Sequence, residues 1–111
     1  MDFDEYENVA RGTATFDTKP FEYQLMYLAL GIAGESGEIA EKVKKIMRND
    51  NGTVSDEKRE LLKAEIGDVL WYLSQLSRVL GFSFSETARA NIDKLKDRAE
   101  RGVIKSAGDN R

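Results

Sequence analysis

Apolar residues recur along this chain at helical spacing, and few stretches alternate apolar and polar as a strand would. The pattern predicts an all-α fold of four helices. Phe3, Tyr6, Val9 and Ala10 mark a first helix over about residues 2–15, and Thr15–Lys19 is a connector. Pro20, the chain's only proline, suits the start of the second helix, where its missing N–H costs nothing. That helix runs to about Arg48, with Leu25, Leu28, Ile32, Ile39, Val43 and Ile46 as its core stripe. Asn49-Asp50-Asn51-Gly52 is a turn cluster. Ser55 caps a third helix, with Asp56 and Glu57 in its positive first turn. Leu62, Ile66, Val69, Leu73, Leu76 and Leu80 form its stripe, and Gly81 falls just past its end. Ser83 and Glu86 make a capping-box pattern for a fourth helix to about Arg101. Residues 104–111 read as a polar tail.

The two long helices also carry apolar or small residues opposite their stripes: Leu30, Ala33, Gly34 and Gly37 on the second, Ala64, Gly67, Trp71 and Ser74 on the third. A helix apolar on more than one side needs more neighbours than four short helices supply. A four-helix-bundle subunit assembled as a dimer or tetramer is the expectation, with a well-filled monomeric bundle as the alternative.

Composition narrows the chemistry. The 111 residues suit a single domain, 1–111, with 17 basic and 20 acidic side chains and a net charge of −3. That balance gives no reason to expect a nucleic acid polymer or an anionic membrane as partner. The acidic N-terminus lacks a signal-peptide pattern, and no apolar run approaches a membrane span, so a cytoplasmic protein is expected. Cysteine and histidine are both absent. Disulfides, thiolate or imidazole zinc sites, histidine bases and the Glu-x-x-His pairs of di-iron bundles are therefore excluded. A metal held by side chains here would be held by oxygen, which favours Mg²⁺, Mn²⁺ or Ca²⁺.

Candidate ligands stand out by position. Glu35 and Glu38 lie three apart at the apolar edge of the second helix, as do Glu65 and Asp68 on the third. Glu38 is 14 residues before Gly52 and Glu65 is 13 after it. At about 1.5 Å of rise per residue, antiparallel packing across the short turn brings the pairs level. Four crowded carboxylates are costly unless they neutralise or bind a cation. The alternative is solvated residues paired with Lys42, Lys45 or Lys63. Mg²⁺ fits best, with Mn²⁺ as a substitute, because it takes carboxylates, waters and substrate phosphates. A phosphate-bearing substrate also needs basic partners. Asn91, Lys94 and Arg98 share one face of the fourth helix, and Lys42 and Lys45 flank the acids on the second. Glu41 lies further round, as an outer ligand or a solvated acid.

These residues resemble a known family. Glu-x-x-Glu, 26 intervening residues and Glu-x-x-Asp, in the contexts GESGEIAEKVKK and EIGDVLWYL, are similar to the MazG-like all-α nucleoside triphosphate pyrophosphohydrolases. The resemblance covers most of the chain, from about Tyr6, and its ending is similar to that of small single-domain members. It implies Mg²⁺-dependent hydrolysis of a nucleoside triphosphate to the monophosphate and pyrophosphate. It implies that Glu35, Glu38, Glu65 and Asp68 hold metal, and that Asn91, Lys94 and Arg98 bind phosphate. It also implies dimers, or tetramers of two dimers, with the site near a subunit interface. Glu38 is the candidate for orienting the attacking water. Base recognition does not transfer; Trp71 and Phe21 are candidates to stack on a base, with a core or interface role expected first. A non-catalytic nucleotide- or metal-binding oligomer and hydrolysis of another diphosphate-linked substrate are the alternatives.

Overall fold

The computed structural model describes residues 1–102, and four α-helices make up its regular structure: α1 (Phe3–Arg11), α2 (Phe21–Asp50), α3 (Asp56–Val79) and α4 (Phe84–Glu100). The polar tail expected over residues 104–111 lies outside the described residues. Local chemistry sets the boundaries. Asp2 caps α1 by accepting from the Glu5 N–H at 2.8 Å. Asn51, in the left-handed region at φ 53°, ends α2, and Gly52 follows at φ 80°. Ser55 caps α3, and Gly81 at φ 93° turns the chain after it. Ser83 and Glu86 complete the capping box of α4 in both directions.

The first helix is shorter than its apolar spacing predicts. It stops at Arg11 because Thr13 is used in tertiary contacts. Its hydroxyl donates to the Ala10 carbonyl at 2.7 Å and accepts from the Trp71 indole N–H at 2.8 Å. The chain then turns inward at Phe16, which is buried at 2 % exposure beside Tyr27 and Trp71.

The antiparallel α2–α3 pair is the principal packing unit, and α1 and α4 pack on α3 and on each other. Phe84, buried against Phe3 and Tyr6, fixes the start of α4 to α1. Among the described residues α2 has α3 as its only helical neighbour, so the expected four-helix bundle is open within one chain. The radius of gyration, 16.8 Å, exceeds the roughly 13 Å typical of a closed domain of this length.

Helix α3 follows the sequence expectation only in part: Leu62, Val69 and Leu76 of the stripe are half-buried, and Ala64 and Gly67 of the other face are exposed. Trp71 packs on α1 and the connector, and Ser74, Gln75 and Ser77 are buried. From the expected core stripe, Ile66, Leu73 and Leu80 are exposed at 58 %, 39 % and 46 %. The physical reason is hydrogen bonding. Ser74 donates to the Trp71 carbonyl, Gln75 accepts from Arg78, and Ser77 bonds Thr87, so a polar face is buried at little cost. The end of the face opposite the stripe, at Trp71 and Ser74, is therefore covered within the chain, while Ala64 and Gly67 remain exposed. The α2 face behaves as expected: Leu30 is exposed, and a methyl group added at Gly34 or Gly37 would meet nothing within 4 Å.

Candidate metal centre

The α2–α3 pairing brings three of the four expected ligands together. Glu35, Glu65 and Asp68 each offer a carboxylate oxygen, and these atoms lie within 4.8 Å of one another. Glu35 and Glu65 are half-buried and Asp68 is exposed. Glu38 stands outside this group. Its carboxylate is 3.6 Å from the Lys42 ammonium, which also donates to Glu65 at 3.0 Å. One lysine thus bridges the acidic edges of both helices.

The carboxyl groups are unequal. Lost hydration pushes Glu35 above its ordinary value, aided by a hydrogen bond with Glu65 and the charges of Asp68, Glu65 and Glu38. Glu65 is held below the ordinary carboxylate range, chiefly by its hydrogen bond from Lys42. A proton held between Glu35 and Glu65 would relieve part of the repulsion. A hard divalent cation would relieve it further by displacing that proton. The donor set, all oxygen and without thiolate or imidazole, fits Mg²⁺ or Mn²⁺ chemically.

The remaining expected residues divide. Glu41 pairs with Lys44 at 2.9 Å and Lys45 at 3.5 Å, a surface arrangement away from the three carboxylates. Lys63 pairs with Glu60. Lys45 and Lys42 line a second cavity of about 210 Å³ with Ile46, Asn49, Lys58 and Leu61. Asn91 and Lys94 are exposed and Arg98 is buried on α4, a helix that does not contact α2. Within one chain the structure does not bring them onto the groove.

Sequence reasoning missed Tyr27, Tyr72 and Thr13. With Trp71, Glu35 and Asp68 they line a cavity of about 370 Å³ against the carboxylates. Phe21 is half exposed and does not line it. Gly31 makes the cavity's geometry feasible: a β-carbon there would sit 2.1 Å from the Tyr72 ring. A glycine inside an apolar helix, one turn before Glu35, was the available signal of close approach.

The fold and site define an all-α protein with an oxygen-donor carboxylate cluster in the groove between two long helices. A sequence model of the MazG nucleotide pyrophosphohydrolase domain matches residues 24–103, which include all four acidic positions. The chain belongs to that family. It is also 44 % identical over 115 residues to the Gene 37 protein of Mycobacterium phage L5, with each chain covered completely. No solved structure matches significantly. Among the described residues no helix is long and apolar enough to cross a membrane.

Proposed function

We propose that the chain is a Mg²⁺-dependent nucleoside triphosphate pyrophosphohydrolase, releasing a nucleoside monophosphate and pyrophosphate. The observation that carries this is the convergence of Glu35, Glu65 and Asp68 on one point within the domain the family match covers. Those three residues would hold the metal. When bound, the ion would offset triphosphate charge and make a bound water more acidic.

The chain's own side chains supply the rest. Lys42, paired with Glu38 and Glu65 in the groove, would meet phosphate oxygens, and Lys45, one turn further on, would have to leave Glu41 to join it. Glu38 is freed when Lys42 turns to phosphate. It is then available to accept a hydrogen bond from the water that attacks the α-phosphorus. Attack there leaves pyrophosphate as the departing group, and the nearby ammonium groups favour its developing charge.

Asn91, Lys94 and Arg98 require a second copy in this reading. The α2 face at Met26, Leu30, Gly34 and Gly37 and the α3 stripe at Ile66, Leu73 and Leu80 are open apolar surfaces. Packing of two chains there would cover them and could bring one chain's α4 to the other's groove. Mixing inactive Glu65→Gln and Lys94→Ala proteins should then restore part of the activity, through hybrid dimers that contain one intact site. No recovery after verified subunit exchange contradicts the shared site.

The activity itself is tested by a pyrophosphate-release screen across standard and damaged nucleoside triphosphates with Mg²⁺, Mn²⁺ or chelator. Reaction in ¹⁸O-water should place the label in the monophosphate. Label confined to orthophosphate would refute attack at the α-phosphorus. Tight nucleotide binding without turnover would favour a non-catalytic role.

A further inference from the structure

The groove between α2 and α3 has a chemical order. On α2, Tyr27, Gly31, Glu35, Glu38, Lys42 and Lys45 follow at steps of three or four residues. On α3, Tyr72, Asp68, Glu65, Leu61 and Lys58 run beside them in reverse. One end is aromatic, the middle is acidic and the other end is basic.

We propose that the aromatic cavity holds the nucleoside portion of the substrate, with the phosphates running past the carboxylates toward Lys42. This rests on the nucleotide reading above and adds a direction to it. The cavity shares Glu35 and Asp68 with the carboxylate cluster, so a ligand in it reaches that cluster without crossing a barrier. Its volume, about 370 Å³, falls in the range of roughly 300–1,000 Å³ usual for small-molecule sites. Its walls include the rings of Tyr27, Trp71 and Tyr72, flat surfaces of the kind a nucleobase packs against.

Its hydrogen-bonding groups are largely committed. The Trp71 N–H bonds Thr13 Oγ1 and the Ala10 carbonyl, and the Thr13 hydroxyl donates to Ala10. The Tyr72 ring lies tilted beside that of Tyr27, with centroids 6.1 Å apart. The site therefore joins ring surface to the acceptor oxygens of Glu35 and Asp68 and has few free donors. That suits a base and sugar better than a chain of phosphates. The opposite cavity differs in having no aromatic ring: Ile46 and Leu61 line it beside Lys42, Lys45 and Lys58, each paired with a carboxylate that a phosphate could replace. A base placed there would have no ring to pack on, and a triphosphate placed among the tyrosines would meet the Glu35 and Asp68 carboxylates.

Trp71 is the sole tryptophan, so its fluorescence reports from the cavity wall. The test titrates the full chain in Mg²⁺ with α,β-imido analogues of the standard nucleoside triphosphates and, separately, with tripolyphosphate. The analogues should change Trp71 emission saturably. Tripolyphosphate should compete with them while leaving the emission unchanged. Tyr27→Ala should weaken the analogues at least tenfold by calorimetry and leave tripolyphosphate affinity as in wild type, which also shows that the groove is folded. Equal weakening of both ligands, or an equal Trp71 response to both, overturns the placement. Normal analogue binding by Tyr27→Ala overturns it alone, leaving the nucleotide reading intact. Wild-type protein that binds neither ligand overturns both.

Discussion

Helix α3 carries two regions about one turn apart that solve opposite problems. At Trp71, Ser74, Gln75 and Arg78 the polar side chains are hydrogen-bonded. The indole bonds Thr13, Gln75 accepts from Arg78 at 2.8 Å, and Arg78 reaches Asp17 at 3.0 Å while lying over the Phe16 ring. At Glu65 and Asp68 like charges meet Glu35, and one lysine serves two acids. The first region ties α1 and its connector to the helix pair. The second leaves an electrostatic demand that a bound cation would satisfy. Anchoring and candidate chemistry thus occupy successive turns of one helix and meet at the cavity that Asp68 and Trp71 share.

The most severe way to break the second region while sparing the first is Asp68→Asn or Glu65→Gln. Under the proposed mechanism each should lower turnover by more than about 100-fold, beyond the usual effect of losing a mere supporting partner. Helicity and cooperative unfolding should persist, because neither side chain joins the Trp71 anchor. Turnover near wild type in both variants, measured by pyrophosphate release, would remove these residues from the site.

The converse change is Trp71→Ala. Truncating a large packed aromatic costs about 3–5 kcal/mol, and the partial exposure of Trp71 points to the lower end. Urea denaturation should show the loss as a lower midpoint. Turnover at saturating substrate should follow the folded fraction, while KM rises because Trp71 also walls the nucleoside cavity. A change in stability below about 1 kcal/mol would mean that the Phe16 and Thr13 contacts do not anchor α1.

Much of this division was readable in the sequence, but not the identity of the faces. Ser55, Ser83-Glu86 and Gly81 announce helix ends through bonds to neighbours a few residues away. Level carboxylates follow from helical rise and a short turn. Gln75 and Ser77 fall on neither expected face, because their burial depends on partners supplied in three dimensions. Trp71 meets Thr13 across 58 residues of chain, so no local periodicity could assign it inward. With that polar face buried, Ile66, Leu73 and Leu80 are left outside, although their spacing reads as core. Tyr72 was missed for a similar reason: its place beside Tyr27 depends on the close approach that Gly31 permits. Glu38 shares a sequence motif with Glu35 but not its carboxylate cluster; it lies exposed, 3.6 Å from Lys42 one turn along α2.

Adding metal should sharpen the contrast more gently. Mg²⁺ at 100 times its dissociation constant would stabilise the folded state by about 2.7 kcal/mol if it binds only there. Wild type and Trp71→Ala should both melt higher with Mg²⁺, since both keep the carboxylates. Asp68→Asn should show little shift. An equal gain in Asp68→Asn would indicate that the ion acts elsewhere.

The smallest effect is the pH dependence of the metal-free protein, and its sign differs between two neighbouring residues. Glu65 is lowered by Lys42, so its folded form binds a proton less tightly than its unfolded form. Its contribution grows as pH rises from that lowered value to the ordinary carboxylate range, and it is lost in acid. Glu35 is raised, first by lost hydration and then by its acidic neighbours. Its folded form keeps a proton that the unfolded chain has released, so stability falls as pH climbs from the ordinary range through the raised value. The two limbs predict a maximum near the ordinary carboxylate range, about pH 4–5, with the other titrating groups superimposed. Glu35→Gln keeps an amide donor facing Glu65 while removing the ionisation, so it should flatten the upper limb and leave the acid limb in place. Thermal melting across pH in chelator measures both. An upper limb unchanged by Glu35→Gln would mean that the repulsion lies with another carboxylate and that Glu35 does not carry the cluster's excess proton.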